Sequence, residues 1–94
     1  MHKDELIQLH QMLTEIKDYF QRCNPELTFP EYTALKITPG QVHKSKVEHK
    51  HAIFILGREL AIAMKDVDGA ASKRMSDRMR ELAEKAFKEI ESLQ

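Results

Sequence analysis

The chain has 94 residues with fifteen basic and fifteen acidic side chains, so it is long enough for one domain and lacks the overall basic charge of a general nucleic-acid binder. Apolar residues make up 41% and charged residues 32%, which is a globular composition and excludes a disordered protein. The single cysteine excludes an internal disulfide, and no apolar segment resembles a signal peptide or a spanning helix, which predicts a cytoplasmic protein without a membrane partner.

The first predicted element is a helix over about residues 4–23 with a regular apolar seam. His2 lies on an extension of the seam and His10 lies on its flank beside Ile7. Asn24 ends the helix, because proline follows it and displaces it from helical backbone angles. The apolar residues of the seam follow one another at spacings of three and four residues, which is typical of a helix packed lengthwise on another helix. They are Leu6, Leu9, Leu13, Ile16, Phe20 and Cys23.

A short helix over about residues 30–36 is predicted next, with Pro30 in its first turn. The central helix then spans about residues 43–66 and has two candidate starts. Thr38-Pro39-Gly40-Gln41 offers a capping threonine with proline in the first turn, and Ser45-Lys46-Val47-Glu48 is an equally good capping box. The sequence leaves both starts open.

The central helix is apolar on two faces. One stripe runs from His49 through Ile53 and Leu56 to Leu60, and Gly57 allows another helix to cross it closely. Since a helix with two apolar faces is covered on both, we expect a second copy of the chain on the other face, in a symmetric homodimer. The predicted interface consists of Leu6, Leu9, Leu13, Phe54, Ile55 and Ile62.

A turn at residues 66–69 precedes the last helix, predicted over about residues 69–93. Its inner stripe is formed by Met75, Met79, Leu82, Ala86, Ile90 and Leu93. The predicted fold is therefore all-α, a small bundle of three long helices and one short helix completed by homodimerisation.

The block from Val42 to Gly57 reads Val-His-Lys-Ser-Lys-Val-Glu-His-Lys-His-Ala-Ile-Phe-Ile-Leu-Gly, and the chain opens with Met-His-Lys-Asp-Glu-Leu. Together these stretches resemble a family of small archaeal proteins catalogued only as uncharacterised. The resemblance covers nearly the whole length. It implies an all-helical, self-associating protein of an archaeal cytoplasm and supplies no function.

The same block is the candidate site, because three of the five histidines lie in it and residues 36–51 carry four lysines against one glutamate. As an anion site for phosphate or a nucleic-acid backbone, it would use His43, Lys44, Ser45, Lys46 and Lys50. As a site for a divalent transition metal such as zinc, it would use Glu48, His49 and His51, with the Glu-x-x-His spacing of carboxylate-bridged bundles, and His2 and His10 from the first helix.

A third interpretation is structural, with His49 a satisfied core residue and the lysines on a solvated face. No nucleophile–base pair or glycine-rich phosphate loop stands out, which favours a protein that is not an enzyme. The sequence therefore predicts a non-catalytic binding or regulatory protein with a histidine- and lysine-rich site at the start of the central helix. Metal binding and phosphate or nucleic-acid binding are its two alternatives.

Overall fold

The computed structural model describes residues 2–65 and 76–93, and these residues form four α-helices and no strand. The helices are α1 (Lys3–Cys23), α2 (Pro30–Leu35), α3 (Lys46–Met64) and α4 (Asp77–Ser92). The predicted all-α class is confirmed. The turn predicted at residues 66–69 and the start predicted for the last helix lie outside the described residues.

The seam of α1 forms the centre of the core. Leu6, Leu9 and Leu13 are at most 2% exposed, and Ile16 and Phe20 continue the same buried stripe towards the end of the helix. These side chains pack against residues of α3 and α4 within one protomer. This burial corrects part of the predicted interface, because the three leucines are already covered by their own chain and cannot face a partner.

The short helix α2 takes its N-terminal cap from another helix. Phe29 at the N-cap position has no side-chain oxygen, and the Glu59 carboxylate of α3 accepts a hydrogen bond from the backbone N–H of Tyr32 at 2.8 Å instead. An ion pair between Glu31 and Arg58 adds a second link between α2 and α3. Free amides in the first turn of a helix need such partners, so α3 fixes the place of α2.

The second of the two candidate starts opens α3. The Ser45 hydroxyl accepts from the Glu48 N–H at 3.1 Å, and the Glu48 carboxylate accepts from the Ser45 N–H at 3.2 Å. Thr38 and Gln41 form a turn instead, in which the Gln41 side chain accepts from the Thr38 N–H at 3.2 Å. The central helix therefore begins at Lys46, three residues after the predicted boundary.

Helices α3 and α4 meet at Gly57 and Ile90. A Cβ atom added at Gly57 would lie 2.6 Å from the Ile90 Cδ1 atom, so the missing side chain lets Ile90 rest on the α3 backbone. The close crossing predicted at Gly57 is thus made by α4 of the same chain.

This contact predicts coupling between the two positions. Gly57→Ala adds about 1 kcal/mol of helix propensity but forces Ile90 to move, whereas in an Ile90→Val background the obstructing Cδ1 is gone. Because the propensity gain is the same in both backgrounds, we expect Gly57→Ala to raise the free energy of unfolding more in the Ile90→Val background than in the parent chain, by about 1 kcal/mol for the relieved overpacking. Urea denaturation of the four proteins measures the difference, and strictly additive effects would contradict the contact.

Candidate functional site

Two histidines from different helices meet in the interior. His10 of α1 and His49 of α3 are both fully buried, with their Nδ1 atoms 3.0 Å apart. The His10 Nε2 atom lies 2.7 Å from the Tyr32 hydroxyl of α2, and the His49 Nε2 atom lies 3.0 Å from the backbone carbonyl oxygen of Gln41. We call these four groups the histidine network.

The direction of every hydrogen bond in the histidine network follows from its Gln41 end. A carbonyl oxygen only accepts, so neutral His49 must carry its proton on Nε2 and present a lone pair on Nδ1. His10 then donates from Nδ1 to His49, and the Tyr32 hydroxyl donates to His10 Nε2. Each ring nitrogen has one partner of the opposite kind, which is what buried polar groups require.

Burial sets the protonation states at neutral pH. Removal from water and, to a smaller extent, the neighbouring His49 ring together lower the pKa of His10 to about 4. Burial also raises the pKa of Tyr32 to about 12, with a smaller contribution from Asp18. Both values keep His10 neutral and Tyr32 protonated, as the assigned directions need.

The other three predicted metal ligands lie elsewhere. Glu48 caps α3, and its pKa is lowered by the Ser45 hydrogen bonds and by Lys44. His51 and His2 are exposed, His2 at the start of α1. Within residues 2–65 and 76–93, no three histidine, cysteine, aspartate or glutamate side chains are grouped to hold a metal ion. Of the predicted set, the structure brings together only His10 and His49.

The predicted anion-binding residues surround the start of α3 but are partly engaged there. The Lys44 ammonium lies 3.7 Å from the Glu48 carboxylate, and Lys50 lies 5.9 Å from the centre of the Phe54 ring. His43, Ser45 and Lys46 are exposed. Because the capping box already occupies two backbone amides at this helix end, an arriving anion would compete with the Glu48 carboxylate.

The second apolar face of α3 remains open in the protomer. Val47 is 75% exposed and Ile62 is 64% exposed, and between them Phe54 and Ile55 are half-buried. We call these four residues the exposed α3 face. It borders a groove of about 700 Å³ between α3 and α4, whose lining includes Lys50, Phe54, Arg58, Phe87 and Glu91.

Sequence reasoning missed the pairing of His10 with His49. The pattern places each histidine on or beside an apolar stripe and groups the two only as candidate metal ligands, without a direct contact between them. A usable signal was present, since Leu6 lies four residues before His10 and Ile53 lies four residues after His49. Two polar side chains in stripes that pack on each other need partners, and each can be a partner for the other.

The four helices and the buried histidine network define a small all-helical domain, and none of the helices described is long and apolar enough to cross a membrane. The chain belongs to the uncharacterised protein family UPF0058, whose model matches residues 1–86. The resemblance recognised in the sequence is confirmed.

The relatives are archaeal. The chain is 39% identical over 94 residues to UPF0058 protein MJ1205 of Methanocaldococcus jannaschii, covering 97% of this chain and 89% of the relative. It is 34% identical over 92 residues to a UPF0058 protein of Methanothermobacter thermautotrophicus, covering 96% and 90%. Among solved structures, Vng1086c from Halobacterium salinarium matches with a TM-score of 0.65 and 45% identity, over 77% of this chain and 99% of that one.

Proposed function

We propose that this protein is a non-catalytic binding or regulatory protein of the cytoplasm that works as a homodimer, with the exposed α3 face as its contact surface. The observation that carries the proposal is the exposure of Val47 and Ile62 on the same side of α3 as Phe54 and Ile55. Contiguous exposed apolar residues bordered by charges are typical of protein interaction sites. The opposite side of α3 is buried by its own chain, so this face is the one left for a partner.

Charge favours a second copy as the occupant. The groove beside the exposed α3 face carries Lys50 and Arg58 on α3 and Glu91 on α4. A two-fold interface sets one patch against itself, so a patch with both signs around an apolar centre can be complementary to its own copy. A chain of this length buries only about two thirds of its unfolded surface, and a dimer would add to the core.

Aspartate substitutions on the exposed α3 face test the dimer. We expect the parent chain to dimerise, and Val47→Asp and Ile62→Asp each to raise the dimer dissociation constant at least about tenfold, because a carboxylate would be desolvated at the interface. Both residues are well exposed in the protomer, so helicity by circular dichroism should not change. Phe54→Asp should dissociate the dimer or unfold the half-buried site.

Light scattering after gel filtration across a wide concentration range measures the oligomeric state. Val42→Asp is the matched control, since Val42 is 61% exposed in the turn before α3 and lies off the exposed α3 face. It should leave the dimer intact. A monomeric parent chain, or dimers from both Val47→Asp and Ile62→Asp, would overturn the proposal.

A further inference from the structure

The histidine network joins four separate segments of the chain. Tyr32 belongs to α2, His10 to α1, Gln41 to the turn at 38–45 and His49 to the first turns of α3. Farther along α3, contacts with the rest of the core are made by apolar side chains from Ile53 to Leu60. The contacts of α3 that protonation of a histidine can change are thus concentrated at the start of the helix. The apolar contacts farther along α3 do not depend on protonation.

Each neutral ring of the histidine network carries one proton and could take one more, but the geometry opposes the additional protons. A proton added to His49 Nδ1 would face the N–H of His10. His10 would then have to carry its own proton on Nε2, and the Tyr32 hydroxyl would have to change from donor to acceptor. A second added proton would set two N–H groups against each other across 3.0 Å. Like charges so close in a buried site repel strongly.

The surroundings offer the charged pair no compensation. Among the described residues, neither buried ring has a carboxylate within ion-pair distance. Glu48, beside His49 in sequence, is held by Ser45 and Lys44, and Asp18 of α1 acts on Tyr32. Glu31 and Glu59 are engaged in linking α2 to α3. The turn adds the ammonium of Lys44, which opposes further positive charge.

We infer that the histidine network is an acid-sensitive latch: protonation of the His10–His49 pair opens α2, the turn at 38–45 and the first turn of α3, while the rest of the helical core stays packed. Sub-global opening of this kind follows when one cooperative part of a fold depends on a contact that the remainder does not use. The inference concerns the interior of the protomer and does not depend on the dimer.

Nuclear magnetic resonance of the parent chain tests the latch without a substitution. Ring nitrogen shifts at pH 7 should show His10 protonated on Nδ1 and His49 on Nε2. Amide hydrogen exchange, corrected for its intrinsic pH dependence, should show residues 30–48 losing at least about tenfold protection near pH 4, while residues 53–60 keep theirs. Equal loss in both ranges would mean global unfolding and would overturn the latch, as would unchanged protection in residues 30–48.

A variant separates the network from general acid effects. His10→Gln retains an acceptor for the Tyr32 hydroxyl and removes one titrating ring, so protection of residues 30–48 should fall much less on acidification than in the parent chain. His51→Gln is the matched control, because His51 is exposed on the same helix and should leave the acid response unchanged. If His10→Gln does not fold, the measurements on the parent chain decide the question.

Discussion

Replacing His49 with leucine should lower the free energy of unfolding at pH 7 by about 1–3 kcal/mol, because it leaves a buried polar group without a partner. The stranded group is the Nδ1–H of His10, whereas the carbonyl oxygen of Gln41 keeps the hydrogen bond that it accepts from the Lys44 N–H at 3.0 Å. His51→Leu, on the exposed side of the same helix, should change the free energy of unfolding by no more than about 0.5 kcal/mol. Urea denaturation of the two variants and the parent chain measures both effects.

The same pair of variants distinguishes a structural role for His49 from metal binding. If the histidine network explains its burial, the loss in His49→Leu will be equal in the presence of zinc and of a chelator. A metal ligand would behave differently, because a metal bound to the folded state raises the melting temperature by an amount that grows with the logarithm of the metal concentration. Stabilisation of the parent chain by zinc that disappears in both His49→Leu and His51→Leu would restore the metal hypothesis.

Acidification should destabilise the parent chain by about 3 kcal/mol between pH 6.5 and pH 4 through His10 alone. The pKa of His10 is about 4 in the folded state, below its ordinary value of 6.5. The unfolded chain therefore binds the proton first as the pH falls. Stability is fully present above pH 6.5, decreases through this range, and receives no further loss from His10 below pH 4. Denaturant titrations at closely spaced pH values measure the slope of the free energy of unfolding against pH.

The control for this pH dependence is His10→Gln, which should flatten the slope between pH 6.5 and pH 4 whatever its stability at pH 7. Glu48 acts in a lower range, because its pKa is depressed and its contribution is lost only as the pH falls below the ordinary carboxylate range. Glu48→Gln should therefore leave the upper range unchanged. An identical slope in the parent chain and in His10→Gln would show that His10 is not the group responsible.

Local features of the sequence were sufficient to predict the all-helical class. The three- and four-residue spacing in α1 predicts a buried stripe, and Leu6 to Phe20 are buried as that spacing requires. The start of α3 was narrowed to two candidates, since both capping motifs are locally sound. The tertiary structure selects Ser45, where Gln41 closes the preceding turn on Thr38 and the Gln41 carbonyl oxygen accepts a hydrogen bond from the ring Nε2–H of His49.

The identity of the partner at each apolar face required the tertiary structure. An apolar stripe in a sequence indicates that its residues are buried, but it does not indicate whether the residues that bury them belong to the same chain. For this reason Leu6, Leu9 and Leu13 were assigned to a dimer interface, although α3 and α4 of the protomer cover them. The exposed α3 face stays uncovered in the protomer, and the predicted dimer rests on it alone.

By itself, the sequence determined the all-helical class and membership of the family, because each depends on residues close together in the chain or on similarity along it. Only the tertiary structure decided what the histidines do. His10 and His49 are 39 positions apart, and their contact depends on how α1 and α3 are rotated against each other. That rotation is set by the packing of the whole core, which brings Tyr32 and Gln41 to the same buried point.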